Sequence, residues 1–270
     1  MSVPAPREQL AALVRQEQVP LGTCCALAAG LLAEASGRPS AGDEVEVCRA
    51  ALDRLAATVP EGGADDARLR TALAAFRGED ADYDDLRASL LPDVLHRRQG
   101  LPILLSVVWL EVAERVGIPA HGIGLPGHFV VGVGAPGTTV TVVDPYRGGR
   151  PLGATDLARV ARLGGGRLDN TALRPWPSVD ILQRVLRNVI AWAERRAAPQ
   201  VEREALELAL LLPRHSLDLR RRHAQLLLGL GRFAEGAREL DDYADVVETV
   251  DATTAARARQ EAARARARLN

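Results

Sequence analysis

The sequence predicts an α+β fold, mainly helical, in which a buried helix is followed by a small antiparallel sheet. Three observations carry that expectation. Apolar residues recur at helical spacing through the first 90 positions and again from about Asp180. The run 101–110 is apolar on most sides and opens on Gly100-Leu101-Pro102, which marks a helix with proline in its first turn and little exposed surface. Short β-rich segments punctuated by glycine and proline follow that helix directly, before helical periodicity returns.

Taken in order, residues 8–36 place Leu10, Leu13 and Val14, then Cys24, Leu27, Ala28, Leu31 and Leu32, on helical faces. Pro20 and Gly22 divide them into two helices. Gly37-Arg38-Pro39-Ser40 ends the second, and Asp43 stands where an N-cap is needed for a helix through Val45, Val47, Cys48, Ala51, Leu52 and Leu55. A loop at Pro60-Glu61-Gly62-Gly63 precedes a helix over 65–76, through Leu69, Leu73 and Phe76. The buried helix is expected over 103–116, stopped by Gly117-Ile118-Pro119. Strands are expected at 120–125, 129–133 and 139–143, the last two joined by a Gly134-Ala135-Pro136-Gly137 hairpin. Leu173-Arg174-Pro175-Trp176-Pro177 reads as a linker into a helix striped with Ile181, Leu182, Val185, Leu186, Val189, Ile190 and Trp192. Within that stripe the Asn188 amide is expected to bond a backbone group. Two further helix pairs follow, broken at Pro213 and at Gly229-Leu230-Gly231. The Ala/Arg-rich tail after Thr253 is either an exposed helix or a frayed end. The implied organisation is an N-terminal helical segment (1–65), an α+β core (66–177), a helical region (178–250) and a tail (251–270).

Composition narrows the function classes. Hydrophobic residues make up 47% of the 270 and charged residues 26%, ordinary values for a globular chain. The formal net charge is −1 and aromatics are 3%, which argues against nucleic acid or an anionic membrane as partner. All 34 basic residues are arginine, and the local cluster Arg214, Arg220, Arg221 and Arg222 reads as a solvated helix face. The N-terminus lacks the basic-then-apolar pattern of a signal peptide, and no apolar run reaches the roughly 18 residues a membrane span needs. The cysteines are Cys24, Cys25 and Cys48; an odd number, two of them adjacent, points to reduced thiols and a cytoplasmic location. With no CxxC or HExxH spacing, no metal site and no cofactor are expected.

Three motifs stand out in the middle of the chain: Arg97-Arg98-Gln99-Gly100-Leu101-Pro102 entering the buried helix, Pro126-Gly127-His128-Phe129 at the start of a strand, and Val143-Asp144-Pro145-Tyr146 with Gly148-Gly149 at the end of another. With Phe76-Arg77-Gly78 and Tyr83-Asp84-Asp85, they resemble the bacterial Sir-B family, described as a transglutaminase-like domain joined to tetratricopeptide-like helices. The resemblance covers roughly residues 70–245. The stretch 228–237, Leu-Gly-Leu-Gly-Arg-Phe-Ala-Glu-Gly-Ala, is similar to the turn between paired helices of such a repeat. Leu86 and Ala88 depart from the family pattern, which has proline and asparagine there.

The resemblance implies a transglutaminase-like, or papain-like, core and a site. In the superfamily a cysteine opens the buried helix, where the helix N-terminus favours a thiolate. A histidine takes its proton, and an aspartate fixes the imidazole. His128 and Asp144 match the last two roles. The nucleophile position falls near Pro102 and Ile103, and neither can serve. Ser106, one turn further on, is a weak substitute, since helix-interior serines usually bond a backbone carbonyl. Cys24 and Cys25 sit near a helix start, but their spacing explains them as core. Asp144 before Pro145 is also a natural turn initiator, and His128 after Pro-Gly can simply brace a turn. The implied role is non-catalytic: a regulatory or scaffolding module binding a protein or peptide through the former substrate cleft and the C-terminal helices. Arg97, Gly100, Pro102, Gly127, His128, Phe129, Asp144, Pro145, Gly148 and Gly149 would line or frame that cleft. The alternative is a hydrolase or acyltransferase using a non-standard nucleophile.

Overall fold

The computed structural model describes residues 4–39, 42–167 and 173–269. Pro6 starts α1 (Pro6–Leu13), where its missing N–H costs nothing. The next helix, α2 (Leu21–Ala35), is apolar on nearly every side and has no side-chain cap of its own making. Its first turn is satisfied from a distance: the Gly22 N–H donates to Oε1 of Glu111 at 2.7 Å. A Cβ on Gly22 would lie 2.5 Å from that carboxylate, so glycine is what admits it. Asp43 caps α3 (Glu44–Ala56) by accepting from the Glu46 N–H at 3.0 Å. The fourth helix, α4 (Asp65–Ala72), ends earlier than the expected 65–76, although Leu73 and Phe76 are buried all the same.

Two 3₁₀ turns, Asp80–Asp84 and Leu86–Ser89, and a short α5 (Leu91–Arg97) then carry the chain to α6. α5 stops at Arg98, which takes the left-handed conformation (φ 58°). The buried α6 (Pro102–Arg115) begins on Pro102 and ends in a Schellman motif. There the Gly117 N–H bonds the Glu114 carbonyl at 3.1 Å and the Ile118 N–H bonds that of Ala113 at 2.9 Å. Strands β1 (Ala120–Leu125), β2 (His128–Val133), β3 (Thr141–Asp144) and β4 (Arg150–Pro151) form one antiparallel sheet in sequential order. The tightest reversal is at Pro126-Gly127 between β1 and β2, where Leu125 pairs with His128. Proline followed by a left-handed glycine (φ 65°) is the pattern of a type II turn.

The sheet's two faces are read off the pleat. Phe129, Val131, Val133 and Val143 join the main core. Ile123, Leu125, Val130 and Val142 form a separate cluster with Leu157, which lies on α7 (Ala154–Leu163). Neither α7 nor β4 was expected. The linker hugs the edge of β1, with the Trp176 N–H donating to the Gly122 carbonyl at 2.9 Å.

The long α8 (Ser178–Arg195) buries Ile181, Leu182, Val185, Leu186, Val189 and Ile190 in the same core as α2 and α6. Trp192 is only partly buried, and its indole N–H donates to the Asp84 carbonyl at 3.0 Å. Asn188 is half-buried, and among the described residues its amide makes no hydrogen bond, contrary to expectation. Beyond it come α9 (Pro199–Leu210), α10 (Leu217–Gly229), α11 (Phe233–Val247) and α12 (Ala252–Ala267). The tail is thus neither frayed nor fully exposed. Asp251 caps α12, and Ala255, Ala258, Ala262 and Ala265 pack in a second cluster with Ala237, Leu240 and Tyr243 of α11. The whole is the mainly helical α+β arrangement that the sequence predicts.

Candidate functional site

His128 opens β2 and Asp144 closes β3. The β2–β3 register pairs Val131 with Val143 and Gly132 with Val142. Continued by one step, it sets Asp144 opposite Val130, so that His128 is its diagonal neighbour on the same face. The side chains meet: His128 Nε2 lies 3.0 Å from Asp144 Oδ1. A carboxylate can only accept, so Nε2 carries a proton, and in the neutral ring Nδ1 is then the accepting nitrogen. Asp144 is 1% exposed. Its Oδ1 also accepts from the Tyr146 N–H at 3.1 Å, capping the 3₁₀ turn Pro145–Arg147. The same carboxylate therefore orients the imidazole and initiates the turn, which unites the two readings of Asp144. Its Oδ2 has no hydrogen-bond partner among the described residues; Arg147 Nε stands 3.9 Å away.

The ring of Tyr146 meets that of His128 edge to face, with centroids 5.9 Å apart. Burial pushes the Tyr146 hydroxyl well above its ordinary pKa, and burial also raises that of Tyr83. Gly78 admits the Tyr146 ring and donates its N–H to the Tyr146 carbonyl at 3.0 Å. From the other side, Arg184 on α8 donates to the carbonyls of His128 (3.1 Å) and Leu125 (3.3 Å). Its guanidinium also lies over the rings of Phe129 and Trp176, at 5.8 and 5.6 Å. Arg184 thus clamps both ends of the Pro126-Gly127 turn. It was not singled out from sequence because it sits among the polar positions of an amphipathic helix; only the tertiary contact reveals it.

The other motif residues frame this pair rather than join it. Arg97 pairs with Asp85 at 2.8 Å. Gly100 packs on Val94, and the following Leu101 N–H bonds the Ala88 carbonyl at 3.0 Å. The Pro126-Gly127 turn lies against Gly164 at the end of α7. Phe129 is buried edge to face on Trp176, with centroids 5.6 Å apart. Pro145 is buried, Gly148 is the left-handed residue closing the 3₁₀ turn, and Gly149 lies on the ring of Trp109.

Pro102 and Ile103, in the first turn of α6, are both buried. Ser106 is fully buried and its hydroxyl donates to the Pro102 carbonyl at 2.8 Å, so it is spent inside the helix. Cys24 and Cys25 lie in α2 and Cys48 in α3, all buried. Burial first, and the negative carboxylate of Glu111 second, push Cys24 up to about 12. Cys48 is likewise pushed to about 12, and burial raises Cys25 well above its ordinary value. None is prepared to be a thiolate. Among the described residues there is no group of three side chains able to hold a metal ion, and no helix is long and apolar enough to cross a membrane.

The chain is 40% identical over 175 residues to a "UPF0162 protein" of Xylella fastidiosa strain 9a5c, covering 62% of each. It is 44% identical over 120 residues to the same-named protein of strain Temecula1, covering 42% of each. These matches therefore span about 42–62% of the length of the curated relatives. Among solved structures, menin, reported with its binding site for Mixed Lineage Leukemia protein, superposes with a TM-score of 0.46 at 11% identity, covering 98% of this chain and 70% of menin. The model of the family described as "Transglutaminase-like superfamily" matches residues 46–187, which include the buried helix, the sheet and the His128–Asp144 pair. That match takes in more than half of the chain, which therefore belongs to the transglutaminase-like superfamily.

Proposed function

We propose that the protein is a non-catalytic member of this superfamily, of the Sir-B type: a cytoplasmic regulatory or scaffolding module that binds a protein or peptide. The cleft beside His128 and Asp144 is one contact surface, and the C-terminal helices are the other. One observation carries the reading. The imidazole and its carboxylate are within hydrogen-bond distance of each other, while the superfamily pattern puts the nucleophile near Pro102 and Ile103, whose side chains carry no nucleophile. Among the described residues, Asp144 is the hydrogen-bond partner of the His128 ring, and no thiol or hydroxyl bonds it. A proton acceptor with nothing to deprotonate supports recognition rather than acyl transfer. The tetratricopeptide-like character of α9–α11 is supported by Gly236, against which Leu228 of the preceding helix packs closely. The segments 1–65, 66–177 and 178–250 are proposed as the units of organisation, with the tail 251–270 extending the last of them.

Iodoacetamide labelling with peptide mapping tests the proposal. Slow modification of Cys24, Cys25 and Cys48, unchanged by His128→Ala, is expected. Fast labelling of one cysteine, lost in His128→Ala, reverses the choice in favour of a hydrolase or acyltransferase.

A further inference from the structure

A second polar site lies in the C-terminal helices. A cavity of about 340 Å³ between α9, α10 and α11 is lined by Glu207, His223, Leu227, Glu235, Arg238, Glu239, Asp241 and Asp242. At its base His223 is only 6% exposed, yet neither ring nitrogen reaches hydrogen-bond distance of a neighbour. Nε2 stands 3.6 Å from Glu207 and Nδ1 3.9 Å from Glu239. Oε2 of Glu239 is also buried without a hydrogen bond; Arg220 is 3.6 Å from it and 3.9 Å from Asp242.

The remaining carboxylates are taken. Glu207 is bound by Arg203 at 2.5 Å and Arg7 at 3.0 Å, Glu235 by Arg232 at 2.5 Å, and Asp241 by Arg266. Arg220 meets Glu239 and Asp242 only beyond hydrogen-bond distance, and among the described residues Arg238, which also lines the cavity, pairs with neither, so the incompletely matched set is Glu239, Asp242 and His223. A carboxylate only accepts, and a neutral imidazole has one accepting nitrogen. What completes such a set is a ligand that only donates and carries positive charge. A guanidinium does both, and its planar fork suits carboxylate oxygens.

We propose that this cavity receives an arginine side chain of a partner protein, seated between Glu239, Asp242 and His223. The proposal rests on the reading of the C-terminal helices as an interaction surface and names the chemistry of what they bind.

The test uses the full-length protein, a capped glycine/serine-rich peptide with one central arginine, and the same peptide with citrulline, which keeps the shape and removes the charge. Binding is followed by the ¹⁵N and ¹H signals of the His223 ring in an NMR titration. The arginine peptide is expected to shift those signals and to bind about tenfold or more tighter than the citrulline peptide, a difference of about 1.4 kcal/mol. Glu239→Gln, which preserves shape, should remove that preference, whereas Glu248→Gln, which removes an exposed charge outside the cavity lining, paired with Arg259 of α12, should not. Thermal melting of both variants checks that they are folded. Equal affinity for the two peptides overturns the proposal. So does an arginine preference that survives in Glu239→Gln, although that outcome leaves the C-terminal helices standing as a binding surface. Failure of the wider reading shows separately, as His128-dependent cysteine labelling.

Discussion

At the residue scale, Asp144 holds more than a catalytic relic would need. It binds His128 and caps the turn that follows, from a position 1% exposed. Replacing it with alanine leaves the Tyr146 N–H and the imidazole unpartnered, which should cost about 1–3 kcal/mol in urea unfolding. His128→Ala should cost less, because the turn keeps its cap. In the double variant the two losses should sum to more than the measured total, since they share one bond. Full additivity would show that the pair is not energetically coupled. Both residues were legible in the sequence because each sits in a short motif with a fixed place on a strand. Arg184 and Tyr146 were not legible as their neighbours in the same way: an arginine on an amphipathic helix and a tyrosine in a turn acquire meaning only when the chain brings them to His128.

At the element scale, helices long enough to show a period were read correctly, α2 among them, whereas short elements and caps borrowed from elsewhere in the chain were not. Asp43 announces α3, and Asp43→Ala should destabilise the protein by about 1 kcal/mol in the same assay. The α5 helix and the 3₁₀ turns before it are too short to show a period, and their ends are set by Arg98 and by the ion pair of Arg97 with Asp85. The α7 helix offers only Leu157, Val160 and Ala161 as apolar contacts, enough to cover one face of a small sheet but too few to stand out. The start of α2 is a further borrowed element, since its cap is Glu111, which also accepts from Arg115 at 2.9 Å. Gly22→Ala pushes a methyl group into that carboxylate and should cost about 1–3 kcal/mol. Adding Glu111→Ala should cost less in that background than alone, because the clash has already broken the cap. A tolerated Gly22→Ala, with an unchanged unfolding midpoint, would contradict this account of the α2 start.

At the scale of the whole molecule, one core runs from α1 to Leu219 of α10, leaving out α7, and α8 is its shared wall. Proteolysis near 170–180 should therefore give two fragments that stay together on a sizing column; fragments that separate and remain folded would show independent domains. The seam between α1 and α9 also carries a pH signature. Burial works against ionising Glu207, but the His223 ring 3.6 Å away and the guanidiniums of Arg203 and Arg7 outweigh it and lower its pKa from 4.5 to about 2. A depressed carboxylate contributes stability above its unfolded value and loses it as pH falls through the folded one. Stability should thus decline between about pH 4.5 and 2, and Glu207→Gln should flatten that part of the curve measured by thermal melting at each pH. The polar–apolar alternation that made the sheet and the large-residue stripe that made α8 were visible in the sequence; the alanine seam of α12 was not, because alanine is equally at home in core and solvent. That seam has its own consequence. Ala255, Ala258, Ala262 and Ala265 bury only methyl groups, in a cluster separate from the main core. Burial scales with apolar area, so this last helix is held by far less than α6 or α8. In deuterated buffer the amides of α12 should exchange first, through openings that leave the rest of the molecule closed, and the slowest amides should be those of α6.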